Sequence, residues 1–451
     1  ISNNDQIFTG DALMARLNYT LMDKYLLTAS IRRDGFSAFG QEQPRAVFPA
    51  AALAWQISRE GFYDEDWFVN RLKMRLSWGS NGNRDIGIYS ALARLNSDLW
   101  FDGTTPRVGL FNSSLANPGL IWEKTNSFNI GLDVGLMENR FGLTIDVYDA
   151  TTTNLLMNRR LPILTGFTNI TTNLGELTNR GLEVTLNSIN LTTDNLEWQS
   201  NFVFSLNRNK IIALFGDTGE YTLLGELKSG ELPDYTNQWF PGYAIDAVWD
   251  YDRIGVWQVD EADEAAQYVM RPGDFKSVDV NQDGVYRPED DKQFIGYRQP
   301  RYRLGLGNDI QFLNNWSLSV FLRADLGHIG EESGALNSGN ESNDRRGRNV
   351  GPLPYWTPEN PINDYARLDL HTGGYGGGIR IYRSRSFFRI QDVSLSYRVP
   401  KEIIQNIKLE NLRVFASARN VITVTKWPNW DPESGSVPMP KTYNFGISLS
   451  L

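Results

Sequence analysis

The chain has 451 residues, with 44 Lys and Arg against 53 Asp and Glu, a formal net charge of −9, 12% aromatic residues, 40 glycines and no cysteine. The lack of cysteine excludes disulfide frameworks, thiolate catalysis and cysteine metal sites, and the acidic balance argues against a nucleic-acid partner, which would need a basic stripe. No apolar run approaches the ~18 residues of a transmembrane helix, and no Pro, Gly or Ser linker divides the sequence, so residues 1–451 are expected to belong to one domain.

Apolar residues alternate with polar ones along much of the chain. A period of two predicts strands near 11–22, 24–34, 47–58, 70–80, 125–137, 141–153, 177–189, 196–207, 301–313, 315–326, 383–399, 411–421 and 440–451. The tenth shows the pattern: Trp316, Leu318, Val320, Leu322 and Ala324 share one face, and Asn315, Ser317, Ser319, Arg323 and Asp325 share the other. Strands of roughly ten residues exceed the usual five or six and match a tilted crossing of a bilayer. Lys and Arg are spread over faces that would point into a lumen, while the glycines and aromatics suit barrel corners and interfacial girdles.

The connections alternate in length. Short ones fall at 22–24, 58–69, 138–140, 189–195, Asn314 and 400–410, and between them come loops of roughly ten to ninety residues. Short turns at the periplasmic rim and long excursions outside characterise membrane barrels; a soluble β-sandwich has no reason to sort its loops by parity. The expected fold is therefore all-β, a transmembrane antiparallel β-barrel. With thirteen strands the first and last run in the same direction and cannot close an antiparallel sheet, so the chain is expected to form part of a larger barrel. It opens in mid-loop at residues 1–10 without a signal peptide, which places the expected N-terminus of the protein elsewhere.

Several segments resemble one family. These are 25–40 (YLLTASIRRDGFSAFG) with Phe48 and Pro49, 117–135 (NPGLIWEKTNSFNIGLDVG), 179–186 (NRGLEVTL), 273–284 (GDFKSVDVNQDG), 355–361 (YWTPENP), 386–400 (SFFRIQDVSLSYRVP) and 444–451. In this order they are similar to the SusC/RagA family of TonB-dependent transporters of Bacteroidetes outer membranes. The resemblance implies a barrel of about 22 strands with a plugged lumen, capped outside by a SusD-like lipoprotein lid that hinges over it. It also implies import of oligosaccharides or peptides too large for porins, with energy relayed by TonB. Thirteen strands counted back from the C-terminus would leave the plug, the TonB-contacting segment and the remaining N-terminal barrel strands outside this chain. One departure is the final Leu451, where family members often end in Phe.

The sharpest local chemistry lies at 279–290. Asp279, Asn281 and Asp283 stand at positions 1, 3 and 5 of a calcium-type loop, Gly284 at 6, the Val285 carbonyl at 7 and Asp290 at 12. Arg287 at position 9 and the short Asp290 at 12 would weaken a bound Ca²⁺, and the alternative is that these side chains cap turns. The role expected in either case is to stiffen a loop.

The predicted external loops also carry Trp239, Tyr243, Trp249, Tyr251, Trp257, Tyr355, Trp356, Trp427 and Trp430. Of these, Trp239, Trp249, Trp257, Tyr355, Trp356, Trp427 and Trp430 are the candidates for stacking on substrate or docking the lid; packing of loop against loop is the alternative. Catalysis is not expected. The two histidines, His328 and His371, lack a zinc-protease or nucleophile-elbow motif, and Asp64, Glu65 and Asp66 read as a solvated acidic turn. Besides the importer, the sequence allows an accessory barrel serving as the structural partner of other envelope proteins in assembly or secretion; outer-membrane lipid is a partner in both readings.

Overall fold

The computed structural model describes residues 7–40, 42–64, 66–332, 354–368, 375–405, 409–435 and 437–450. Glu65, His371 and Leu451 lie outside the described residues. Thirteen strands form one antiparallel sheet: β1 (Gly10–Leu21), β2 (Tyr25–Phe36), β3 (Arg45–Gln56), β4 (Val69–Asn83), β5 (Glu123–Leu136), β6 (Phe141–Thr153), β7 (Glu176–Thr193), β8 (Leu196–Ala213), β9 (Tyr302–Phe312), β10 (Trp316–Leu326), β11 (Phe387–Arg398), β12 (Asn411–Thr425) and β13 (Thr442–Ser450). Every strand pairs with its neighbours in this order, and β1 and β13 are the two edges. Among the described residues no helix is long and apolar enough to cross a membrane.

The pairing register shows why the alternation works. Leu27, Leu53, Leu76, Ile130, Val147, Leu182 and Leu206 stand opposite one another across β2 to β8 and form one apolar row. Farther round, Leu306, Leu322, Ile390 and Ile422 continue the belt across β9 to β12. One residue along, the row reads Arg75, Gly131, Asp146, Glu183, Ser205, Arg303 and Asp325. A slip of one residue would exchange these rows, so burial against lipid fixes the register. On β8 the outward residues from Trp198 to Leu206, apolar but for Ser200, rise ~20 Å after tilt, close to the ~25 Å band of a membrane barrel.

Tight turns close one rim. Met22 and Asp23 (φ 52° and 55°), Glu138 and Asn139 (57° and 63°) and Leu313 and Asn314 (52° and 62°) are consecutive left-handed residues. Such turns match the twist of the strands they join. The connection 57–68 is anchored to its neighbour by Glu60, which accepts hydrogen bonds from Tyr25 Oη (2.6 Å), Trp55 Nε1 (2.9 Å) and Lys24 Nζ (3.0 Å). These bonds, that of Tyr25 foremost, hold its carboxyl down at about 2. Beside this rim, Tyr25 stacks with Trp55 and Trp316 with Phe312, while Tyr397 packs tilted on Trp316, as an interfacial girdle.

The opposite rim carries the long connections, and these contain further structure. Two-stranded ribbons form from Arg94–Phe101 with Pro106–Ser114, Leu156–Arg160 with Asn169–Asn173, Thr218–Leu223 with Glu226–Glu231, Ala247–Tyr251 with Lys292–Tyr297, Arg253–Val256 with Phe275–Ser277, and Ile329–Glu331 with Tyr382–Ser384. The last pairing corrects the strand expected at 383–399, which enters the main sheet at Phe387. In the other direction β8 runs to Ala213, beyond its expected end at 207. Buried apolar clusters sit in these connections: Val256, Phe275, Trp356, Ala366, Ile379 and Ile381 form one, and Leu223, Phe240, Ala244, Ala247 and Trp249 another.

Val184 lies mid-strand on the lipid face opposite Ile145 and Phe204, and Thr185 beside it faces the lumen. In the full-length protein refolded into liposomes, Val184→Arg is expected to lower stability by about 2–4 kcal/mol in urea titration, and Thr185→Arg by about 1 kcal/mol or less.

Candidate functional site

The lumenal face is a wall of paired charges. Arg75 on β4 reaches across β5 to Asp133 (3.0 Å) and Asp146 (2.9 Å), and Thr144 donates to Asp133. Gly131 stands between them, where a Cβ would lie 2.5 Å from the guanidinium carbon, so the bridge over the strand requires glycine there. Higher on the wall, Arg323 pairs with Asp325 (2.7 Å) and Glu433 (2.8 Å). Arg389 is 1% exposed and held by Asp431 (2.6 Å), Glu433 (2.5 Å) and Thr423 (3.0 Å), which fastens the 431–433 connection onto β11 and β12. Removing one partner of such a buried pair typically costs about 3–5 kcal/mol.

Between these clusters is an open recess of about 390 Å³ whose lumenal lining includes Glu183, Val203, Arg303, Phe321, Arg323 and Asp325. It offers both signs of charge and an aromatic ring, which suits a polar ligand carrying an apolar group. His328 is buried just above it, and burial, then the Arg385 cation, push its pKa down to about 4, so it is neutral near pH 7. Neither His328 Nδ1 nor Asp325 Oδ1 has a hydrogen-bond partner, so the two do not form the orienting pair that base catalysis would use.

The candidate aromatics divide by burial. Trp249, Trp257, Trp356 and Trp427 are 1%, 1%, 5% and 6% exposed. Trp249 packs on Phe240 and Tyr243, Trp257 lies under Lys276, Trp356 donates to Gln258 (2.9 Å), and Arg385 covers Trp427. These four rings are covered by loop residues, Trp356 in a cluster that joins two connections, and so do not present a face to a ligand. Tyr355 and Trp430 are 43% and 74% exposed, and Trp239 is half-buried; these three remain able to touch a substrate or a lid.

The 279–290 loop is closed by its own groups. Asp279 accepts from the backbone N–H of Gln282 and Gly284, Asn281 from Asp283, and Asp283 from Val285. Arg287 lies on Asp283 as an ion pair. The adjacent Asp291, not Asp290, is fully buried and accepts from the N–H of Val280 and Arg287. Among the described residues no three His, Cys, Asp or Glu side chains converge to hold a metal.

One feature of the outer rim was not anticipated from sequence. On the 94–114 hairpin, Leu95, Leu99, Phe101, Val108 and Leu110 share one face and are 64–72% exposed. The signal for it was present: alternation through Leu95, Leu99 and Phe101, then Asp102-Gly103, a strong hairpin dipeptide.

A family model described as "TonB dependent receptor-like, beta-barrel" matches residues 1–421. TonB-dependent receptor P3 of Formosa agariphila is 28% identical over 470 residues, covering 98% of this chain and 45% of that protein. TonB-dependent receptor SusC of Bacteroides thetaiotaomicron is 28% identical over 457 residues, covering 97% and 43%. The chain thus spans about half the length of the curated relatives it matches. Among solved structures, that of the RagAB peptide transporter superposes with a TM-score of 0.76 at 23% identity over 98% of this chain and 48% of that one, which shows the shared fold. The alternating thirteen-stranded sheet, its short and long rims and the family match together establish that the chain belongs to the TonB dependent receptor-like β-barrel family and is part of an outer-membrane β-barrel.

Proposed function

We propose that the chain is the C-terminal wall of a SusC-like, TonB-coupled importer of oligosaccharides or peptides, working with a SusD-like lipoprotein lid. The observation that carries this reading is the lumenal face, where a recess bearing Glu183, Arg303, Arg323 and Asp325 lies beneath a rim of structured loops. That arrangement suits capture of a solute from above and its passage along a polar wall. The relatives are consistent: one is a receptor named SusC and one neighbour a peptide transporter. The plug, the TonB-contacting segment and the strands that complete the barrel belong, on this reading, to the rest of the protein. The exposed apolar face of the 94–114 hairpin, with Tyr355 and Trp430, is the surface offered to the lid, since an unpartnered apolar patch on an outer rim marks an interaction site.

For the 279–290 loop we propose Ca²⁺ as a competitor of Arg287. The cation would take Asp279, Asn281, Asp283, the Val285 carbonyl and Asp290 only after the guanidinium leaves Asp283. Calorimetry on the full-length protein is expected to show Arg287→Ala binding Ca²⁺ at least tenfold more tightly than the natural protein; equal affinities would remove the loop as a calcium site.

The transport reading is tested by a deletion strain grown on single glycans and single peptides as sole nutrient. Loss of growth on one substrate class, restored by the intact gene, is the expected outcome. Normal growth on every substrate together with loss of surface proteins would instead identify an accessory barrel of assembly or secretion.

A further inference from the structure

We propose that the outer ends of β7 and β8 bind the phosphate of an outer-leaflet lipid headgroup on the lipid-facing side of the barrel. Alternation places Arg180 on the same face as Leu182, and Arg208 and Lys210 on the same face as Leu206, with no register shift between them. That is the face of the apolar belt. Ascending β8, the outward residues read Phe202, Phe204, Leu206, Arg208 and Lys210, so the change from grease to cation occurs at the height where hydrocarbon gives way to headgroups.

The backbone opens a pocket at this height. Pairing of β8 with β9 ends at Ser205 and Arg303, and above it the free edge of β8 is taken by a loop, with Gly242 N–H donating to the Ile211 carbonyl (2.7 Å) and Ile211 N–H to the Tyr243 carbonyl (2.8 Å). The recess left between strand and loop measures about 430 Å³ and is lined by Arg180, Arg208, Lys210, Arg301, Tyr243 and Tyr297, among others. Ile212, 42% exposed, adds an apolar side.

Four cations meet there with one carboxylate. Asp149 pairs with Arg180 at 2.8 Å, both largely exposed. Arg208 donates to the carbonyls of Arg301 (2.7 Å) and Asn207 (3.0 Å) and lies over Tyr302, while Arg301 is stacked 3.7 Å over Tyr297. Among the described residues no carboxylate lies within ion-pair distance of Arg208, Lys210 or Arg301. Asp246, whose charge is felt by Arg301, is engaged on the lumenal side, where it accepts from Asn209 and the Gln299 backbone. Burial, and then repulsion from Arg208, lower the pKa of Arg301, and the opposing pull of Tyr297 and Asp246 does not cancel them.

Fixed guanidinium groups with free N–H donors match the geometry of a phosphate. The belt directly below would accept the acyl chains of the same molecule, which favours a lipid over a free anion.

The test is native mass spectrometry of the full-length transporter, delipidated and then exposed separately to phosphorylated lipid A, its dephosphorylated form and inorganic phosphate. The natural protein is expected to retain phosphorylated lipid A at least tenfold better than the dephosphorylated form. Arg208→Gln/Lys210→Gln is expected to lose that preference while keeping the same barrel mobility on a semi-native gel. The comparison between lipids in the natural protein stands even if the variant does not fold. Equal retention of both lipids would overturn the proposal. Displacement of the lipid by inorganic phosphate at equal concentration would overturn it too, showing an anion site with no lipid specificity.

Discussion

A backbone in hydrocarbon has no water to satisfy its N–H and C=O groups, so every strand that crosses must be bonded on both sides to another. This constraint organises the whole chain. It forces long strands, each next to its sequence neighbour, and makes the two faces of the sheet chemically different because one meets lipid and the other water. The row from Leu27 to Leu206 and the row from Arg75 to Asp325 are the two sides of that requirement.

The same constraint explains where the interior of the molecule lies. A barrel wall one strand thick has no dry core of its own, so the apolar clusters gather in the outer connections around Trp249, Phe275 and Trp356. Those connections thereby carry apolar cores of their own. On the wall, charges are tied into bridges across neighbouring strands, such as Arg75 with Asp133 and Asp146, and Arg389 with Asp431 and Glu433. Such bridges give the lumen a fixed pattern of both signs and fasten a loop to the rim.

The barrel strands were legible in sequence because the two solvents impose a period of two, and all thirteen overlap the segments that alternation marked, the eleventh starting at Phe387. Their outer ends were less legible. Beyond the lipid, nothing requires residues 208–213 of β8 to alternate apolar with polar, so the strand continues without a signal. In the loops an aromatic is as easily a core residue as a ligand contact, and sequence cannot separate Trp249, which is buried under Phe240 and Tyr243, from Trp430, which is exposed. The charged recess near Arg303 and Arg323 was invisible for another reason: its lining comes from four strands, between Glu183 and Asp325 in sequence, brought together by register alone.

The central claim is that one face of these strands touches lipid and the other water. This chain has no cysteine, so single cysteines placed along β10 of the full-length protein, freed of any cysteine elsewhere and set in liposomes, report on it directly. At Leu318, Val320 and Leu322 an attached fluorophore should be quenched by brominated lipid and the thiol should resist a water-soluble maleimide; at Ser317, Ser319 and Arg323 both responses should reverse. Uniform reactivity along the strand, or quenching that ignores the alternation, would contradict the account.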